Sequence, residues 1–281
     1  MIGRLMMLLS MYPTVRYAAI AILLISVCSA LLGVLLVLKR YSMIGDGLSH
    51  VSFGATSVAA ILGLTTPIYL ALPLTVLAAI LLLRVKSRSG VGGDSAIAMI
   101  SSAALAFGYL ALNLFGGNSA NISSDACATL FGSGIISIGI DDVILCSALS
   151  ASILLIFILF YNKLFAITFD SDFATASGIR ASAYNTLIAV ISAVTVVLAM
   201  NMLGALLASA LVIFPALSAM RLFKSFRSVM LASLAIAVIS ALCGILVSLL
   251  FATATGPTVV AADLLIFAIC AWVEALSKAR K

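Results

Sequence analysis

Long apolar runs separated by short polar or basic breaks organise this chain. Stretches free of Asp, Glu, Lys and Arg extend from Tyr17 to Leu38, Gly47 to Leu83, Val143 to Asn162, Ala181 to Met220 and Ser228 to Ala262. A membrane-spanning helix needs about 20 apolar residues, so each stretch holds one or two spans. Strand-type alternation is absent and the runs far exceed the roughly 10 residues of a barrel strand, which leaves helices. The pattern predicts nine of them, near residues 17–38, 43–64, 67–83, 95–115, 142–162, 184–200, 203–220, 229–250 and 260–276. An eight-helix arrangement with one short re-entrant segment is the alternative. The expected fold is an all-α polytopic membrane protein of eight or nine transmembrane helices, a single domain over residues 1–281 without a linker long enough to divide it.

The breaks carry their own signals. Asn201 and Gly204 interrupt the longest uncharged stretch and mark a hairpin, after which Gly204-x-x-x-Ala208 offers a small-residue face and Pro215 removes a backbone donor. Gly116 to Ile140 is half polar and then weakly apolar, as expected of a loop followed by a short packed or re-entrant helix. Between the fifth and sixth spans, within about 168–182, lies TFDSDFATASGIR. Here Asp170 or Ser171 can cap a short helix through Asp172, Phe173 and Ala176, and Gly178 can end it. A short capped helix with one large apolar side chain, Phe173, in a polar loop of a membrane protein is a candidate docking knob.

Composition agrees with the pattern. Apolar residues make up 64% and charged residues 9%, against roughly 25% charged in soluble domains, and mean hydropathy is +1.33. The net charge of +6 comes from short basic clusters between spans, not from one basic face, so a nucleic-acid partner is not expected. The clusters are Lys39/Arg40, Arg84/Lys86/Arg88, Lys163 to Arg180, Arg221/Lys224/Arg227 and Lys278/Arg280/Lys281. Placing all of them in the cytoplasm puts the N-terminus outside, the C-terminus inside and the Gly116–Ile140 stretch outside. The first apolar run, behind Arg4 and Arg16, is too long for a signal-peptide core and is kept as a span. Cys28, Cys127, Cys146, Cys243 and Cys270 show no C-x-x-C spacing and are read as small hydrophobes.

Few side chains here can do chemistry. The single histidine, His50, follows Asp46 by four residues in GDGLSH at the head of the second span, so the two share one helix face. An imidazole and a carboxylate so placed can chelate one borderline divalent cation. They can equally hydrogen-bond each other and neutralise two polar groups near the membrane interface. A single pair supplies too few ligands for a complete site, so a metal reading needs more from elsewhere, most simply from a second copy of the chain across a twofold axis. Gly54 extends that face and leaves room for an ion or for another backbone. Asp263 stands in the apolar run VVAADLLIFAIC, either as a functional intramembrane carboxylate or as an interfacial one. Asp94 opens the fourth span as a helix N-terminal acid. With no G-x-x-x-x-G-K-[ST], no H-E-x-x-H and no aspartate-rich magnesium motif, an enzyme reading finds no support and the chain lacks its own nucleotide site.

The stretch Lys39 to Leu64, KRYSMIGDGLSHVSFGATSVAAILGL, resembles the signature of the permease subunits of bacterial ABC importers for zinc, manganese and iron, approximately RR-x-x-x-x-GDALSHAxLPGxAxAxxLG. Further segments resemble the family in its order: Asp94 to Gly108, Leu130 to Asp142, Thr168 to Gly178, Met202 to Leu222 and Thr255 to Val260. Phe53 stands where the family usually has proline, and PALSAMRL replaces the common PAATARL; neither change removes a candidate ligand. The resemblance implies a type II-like ABC-importer permease in the bacterial cytoplasmic membrane, surrounded by membrane lipid. It implies Asp46 and His50 as ligands for a transported zinc or manganese, with iron as a further candidate, and no permanently bound cofactor. It further implies a second copy of the chain, cytoplasmic ATP-binding subunits contacted through Asp170, Asp172, Phe173 and Gly178, and an extracytoplasmic metal-binding protein. The alternative from the residues is an ion-coupled secondary transporter using Asp263, which would require an inverted repeat that the sequence does not display.

Overall fold

A computed structural model of the chain describes residues 13–64, 66–88, 93–115, 139–251 and 253–279. Among the described residues all regular structure is helical: α1 (Pro13–Leu38), α2 (Ile44–Ile61), α3 (Ile68–Arg88), α4 (Gly93–Phe115), α5 (Ile140–Phe169), α6 (Ser171–Ala176), α7 (Ala181–Leu203), α8 (Ala205–Leu222), α9 (Phe226–Phe251) and α10 (Thr255–Ala279). Nine are long and fall where the apolar pattern predicts them. Seven of the nine, all but α2 and α3, are long and apolar enough to cross a membrane. The predicted loop and re-entrant piece at 116–138 lie outside the described residues, as does Cys127.

Several helices outrun their predicted limits. α5 continues from 162 to Phe169, and α10 begins at Thr255, not 260. Hydropathy marks where the hydrocarbon ends, whereas a helix ends where its backbone finds a cap or a break. At α5 the two limits differ because Asp170 supplies the stop, closing one helix and opening the next. At its other end the Asp142 carboxylate accepts from the Gly139 N–H at 3.0 Å, and Asp141 and Asp142 both sit in the first turn, where the helix dipole favours them.

α1, α7 and α8 form the middle of the bundle. Gly33 of α1 meets the Val212 backbone of α8 so closely that a Cβ there would collide with it. Ser233 of α9 donates across to the Ala30 carbonyl at 3.3 Å. Most other span hydroxyls are satisfied inside their own helix, as in Ser26 to Ile22, Thr75 to Ala71, Ser192 to Ile188 and Thr195 to Ile191. That is how hydroxyls survive where no water is at hand. The hairpin marked by Asn201 and Gly204 is present: Gly204, at φ +93°, ends α7 and starts α8, and Pro215 is buried inside α8. The left-handed φ explains glycine at that corner.

Apart from Arg16 at the start of α1, the described basic residues gather at one end of the bundle. Lys39 after α1 hydrogen-bonds Asn185 in α7, and Lys163 in α5 lies over the ring of Tyr184 in α7. Arg227 in α9 lies over Tyr161 of α5, while Arg221 and Lys278 both grip Glu274 at 2.9 and 2.6 Å. This end is the cytoplasmic one if short basic loops are retained inside.

A polar pair inside the bundle: the candidate metal site

α2 packs against four other helices: α3, α4, α7 and α8. Its first turn holds Asp46, and one turn later comes His50. The His50 Nε2 lies 3.6 Å from Asp46 Oδ1, beyond hydrogen-bond range. His50 Nδ1 is buried and has no hydrogen-bond partner. The mutual hydrogen bond that would let the pair merely satisfy each other is therefore not formed. Both side chains stay partly open, His50 at 23% and Asp46 at 41% exposure, on a stripe of α2 that the described residues leave partly uncovered.

The opposite choice is made one strip away on the same helix. A Cβ on Gly47 would come within 2.6 Å of Ile97, one on Gly54 within 2.8 Å of the Ala104 carbonyl oxygen, and one on Gly108 within 2.7 Å of the Gly54 Cα. Real Cβ atoms do not approach so closely, so the α2–α4 seam exists because three glycines lack them. Of the two uses open to Gly54, close approach of another backbone is the one observed. Phe53, where proline was the family's usual choice, is 2% exposed among Met200, Ala205, Leu105 and Leu112, and α2 runs unbroken through it.

The depth of the pair follows from its neighbours. Gly45, next to Asp46, packs on Val212, the residue that also receives Gly33. Gly33 precedes Lys39 by six residues and Val212 precedes Leu222 by ten, which at 1.5 Å per residue sets this level about 9 to 15 Å inside the basic end. His50 is one turn deeper. The site thus lies inside the bundle and not at its rim.

Asp263 occupies a different setting. It is the ninth residue of α10, 1% exposed, and neither of its oxygens has a hydrogen-bond partner. Ser240 stands across from it on α9 but donates to Ala237 of its own helix. Gly244 lets α9 and α10 close together at this point, since a Cβ there would strike the Val259 backbone. Asp263 is therefore buried by protein and does not face water among the described residues. Among the described residues no cluster of three or more His, Cys, Asp or Glu side chains is assembled, so one chain offers a metal two ligands here. Asp94 falls in the first turn of α4.

At the basic end the short segment after α5 is built as its residues suggest. Asp170, and not Ser171, is the cap: its Oδ1 accepts from Asp172 N at 3.0 Å and Phe173 N at 2.9 Å. Gly178, at φ +83°, turns the chain out of α6, and the Ile179 N–H returns to the Ala174 carbonyl at 2.9 Å. Ala174 is buried against Ile167 and Ala181 and roots the helix. Phe173 points the other way and is 67% exposed, so it does not fold back onto its own chain.

The bundle is that of a multi-pass membrane transport protein. Residues 11–274 match the ABC 3 transport family, and the chain belongs to it. It is 28% identical to the manganese import system permease protein ScaB of Streptococcus gordonii, over 89% of this chain and 87% of that protein. It is 26% identical to the high-affinity zinc uptake system membrane protein ZnuB of Haemophilus influenzae, over 86% of this chain and 91% of that protein. Among solved structures it resembles PsaBC from Streptococcus pneumoniae in complex with Fab, with a TM-score of 0.84 and 27% identity, covering 96% of this chain and 95% of that one.

Proposed function

We propose that the chain is the permease subunit of an ATP-driven importer that carries a divalent transition metal, zinc or manganese, across a bacterial cytoplasmic membrane. The observation that carries this reading is the Asp46/His50 pair: two ligand groups on one helix face, not hydrogen-bonded to each other, inside an apolar bundle and left partly open by the described residues. A dication cannot cross hydrocarbon without a chelating path. A second copy related by a twofold axis would bring the same two groups, making four ligands, the number zinc prefers. The names of the relatives, manganese import and zinc uptake proteins, point to the same cargo class. A carboxylate and an imidazole suit either metal, so the ligand set is neutral between them.

Energy has to come from outside, because the sequence has no phosphate-cradling loop. α6 is the contact through which cytoplasmic ATP-binding subunits act. Asp170 and Gly178 hold its ends, Asp172 adds a first-turn charge and Phe173 supplies an anchor of the kind that dominates interfaces. An extracytoplasmic binding protein delivers the ion to the opposite end, and movement of α6 transmits closure of the ATPase pair to the helices that carry the site.

Manganese and zinc accumulation in cells that lack their own importers, expressing the chain with and without its ATPase, tests the reading. Uptake should need both proteins; uptake by the chain alone would overturn it. Phe173→Ala should leave the permease inserted yet reduce recovery of the ATPase on co-purification. Undiminished recovery with wild-type uptake would move the contact elsewhere.

A further inference from the structure

Between the end of α5 and the start of α7 lies an open cavity of about 550 Å³ that the transport reading does not use. Phe160, Ile179, Tyr184 and Leu187 form its apolar floor, and Lys163 and Arg180 its charged rim. The Lys163 Nζ sits 5.7 Å from the Phe160 ring centroid and 5.6 Å from that of Tyr184. Neither Lys163 nor Arg180 forms a salt bridge with any described residue, in contrast to Arg221 and Lys278, which share Glu274. Two cations without a carboxylate, set over an apolar floor, match a ligand that has a negative head and an apolar body.

Depth selects the ligand. Lys163 follows the apolar stretch that begins at Val143, and about 20 residues at 1.5 Å each span the hydrocarbon, which puts its ammonium at the headgroup level. The turns of α5 just before it, at Leu155, Ile158 and Leu159, are exposed and apolar, as a lipid-facing surface should be. Lys163 also stops six residues short of the end of α5, about 9 Å inside the level of α6. Lys163 and the floor around it are therefore recessed behind the Phe173 knob, while Gly178 and Arg180 form the rim nearest α6.

We propose that this cavity binds the phosphate headgroup of an anionic phospholipid from the leaflet at the basic end. Lys163 and Arg180 pair with the phosphate, Arg through its planar fork and Lys as a point charge, and an acyl chain follows Phe160 and Leu187 towards the exposed face of α5. Because Gly178 to Arg180 is the joint between α6 and α7, a lipid held here braces the segment that carries Phe173.

The test is native mass spectrometry of the purified chain in detergent, titrated with phosphatidylglycerol, phosphatidylcholine or inorganic phosphate. The wild type should retain phosphatidylglycerol about 25-fold more tightly than phosphatidylcholine, the product of roughly fivefold for each of the two bases near the surface. Inorganic phosphate should not displace it at equal concentration, since it lacks the apolar body. K163Q/R180Q should lose the preference while keeping its melting temperature; if the double variant fails to fold, Arg180→Gln alone, at an exposed position, should lose about half of it on a logarithmic scale. Equal binding of the two lipids by the wild type, an unchanged preference in the folded variants, or displacement by free phosphate would overturn the proposal. So would reduced ATPase co-purification with lipid preference intact, which would give the two bases to the ATPase contact.

Discussion

Asp46 and Asp263 are both carboxylates on membrane helices, yet the bundle treats them in opposite ways. Asp46 shares a face with the lone histidine and keeps 41% of its side chain open among the described residues. Asp263 is sealed between α10 and α9 at 1% exposure, with no hydrogen bond and no ion pair among the described residues. Burial alone therefore does not identify a transport residue. A path for an ion needs a ligand that the ion can reach, with a second group beside it, and of these two carboxylates Asp46 meets both conditions. Asp263, at 1% exposure, is closed to an approaching ion in this structure.

The comparison can be broken most severely by transport. Asp46→Asn and His50→Ala should each lower metal uptake by at least about tenfold, the scale on which ligands and their supports act, while Asp263→Asn should stay within about twofold of wild type. Loss of uptake in Asp263→Asn with a folded, well-expressed protein would move the coupling to α10 and favour the ion-coupled alternative.

Next in size is the seam that aims the site. Gly108→Leu would drive a side chain into Gly54, and overpacking of this kind costs about 1–3 kcal/mol. Its melting temperature should fall, and uptake with it, because α2 can retreat from α4 only by turning Asp46 and His50. A variant that melts as wild type would show that the two helices are not locked together. The smallest effect is expected for Asp263→Leu: removing an unpartnered buried carboxyl leaves nothing unpaired behind, so the melting temperature should hold or rise slightly. A marked fall would reveal a partner for Asp263 in the assembled protein.

Much of this was legible in the residues, for definite reasons. The helices could be read because each apolar run is near the thickness of a bilayer, and the hairpin at Gly204 because only glycine turns there cheaply. The Asp46/His50 pair was visible because a spacing of four fixes a shared face whatever surrounds it. A cap at Asp170 or Ser171 and the Gly178 stop were visible because both act within their own few residues, and the structure chose Asp170. What depends on a partner helix was not. Gly54 announced a close approach or a void but not Ala104, since a missing Cβ does not name its neighbour. Asp263 could be rim or interior until α9 and Ser240 were placed beside it. Lys163 and Arg180 read as members of one loop cluster, and only the fold joined them to Phe160 and Tyr184 around one cavity.

The central claim, that Asp46 and His50 from two copies enclose one transported ion, is tested most directly by metal stoichiometry. Purified permease, equilibrated with manganese or zinc, should hold one ion per two chains, with imidazole nitrogen among its ligands by X-ray absorption, and His50→Ala should lose both the ion and the nitrogen signal. One ion per chain, or an ion retained with unchanged ligands by folded His50→Ala, would contradict it.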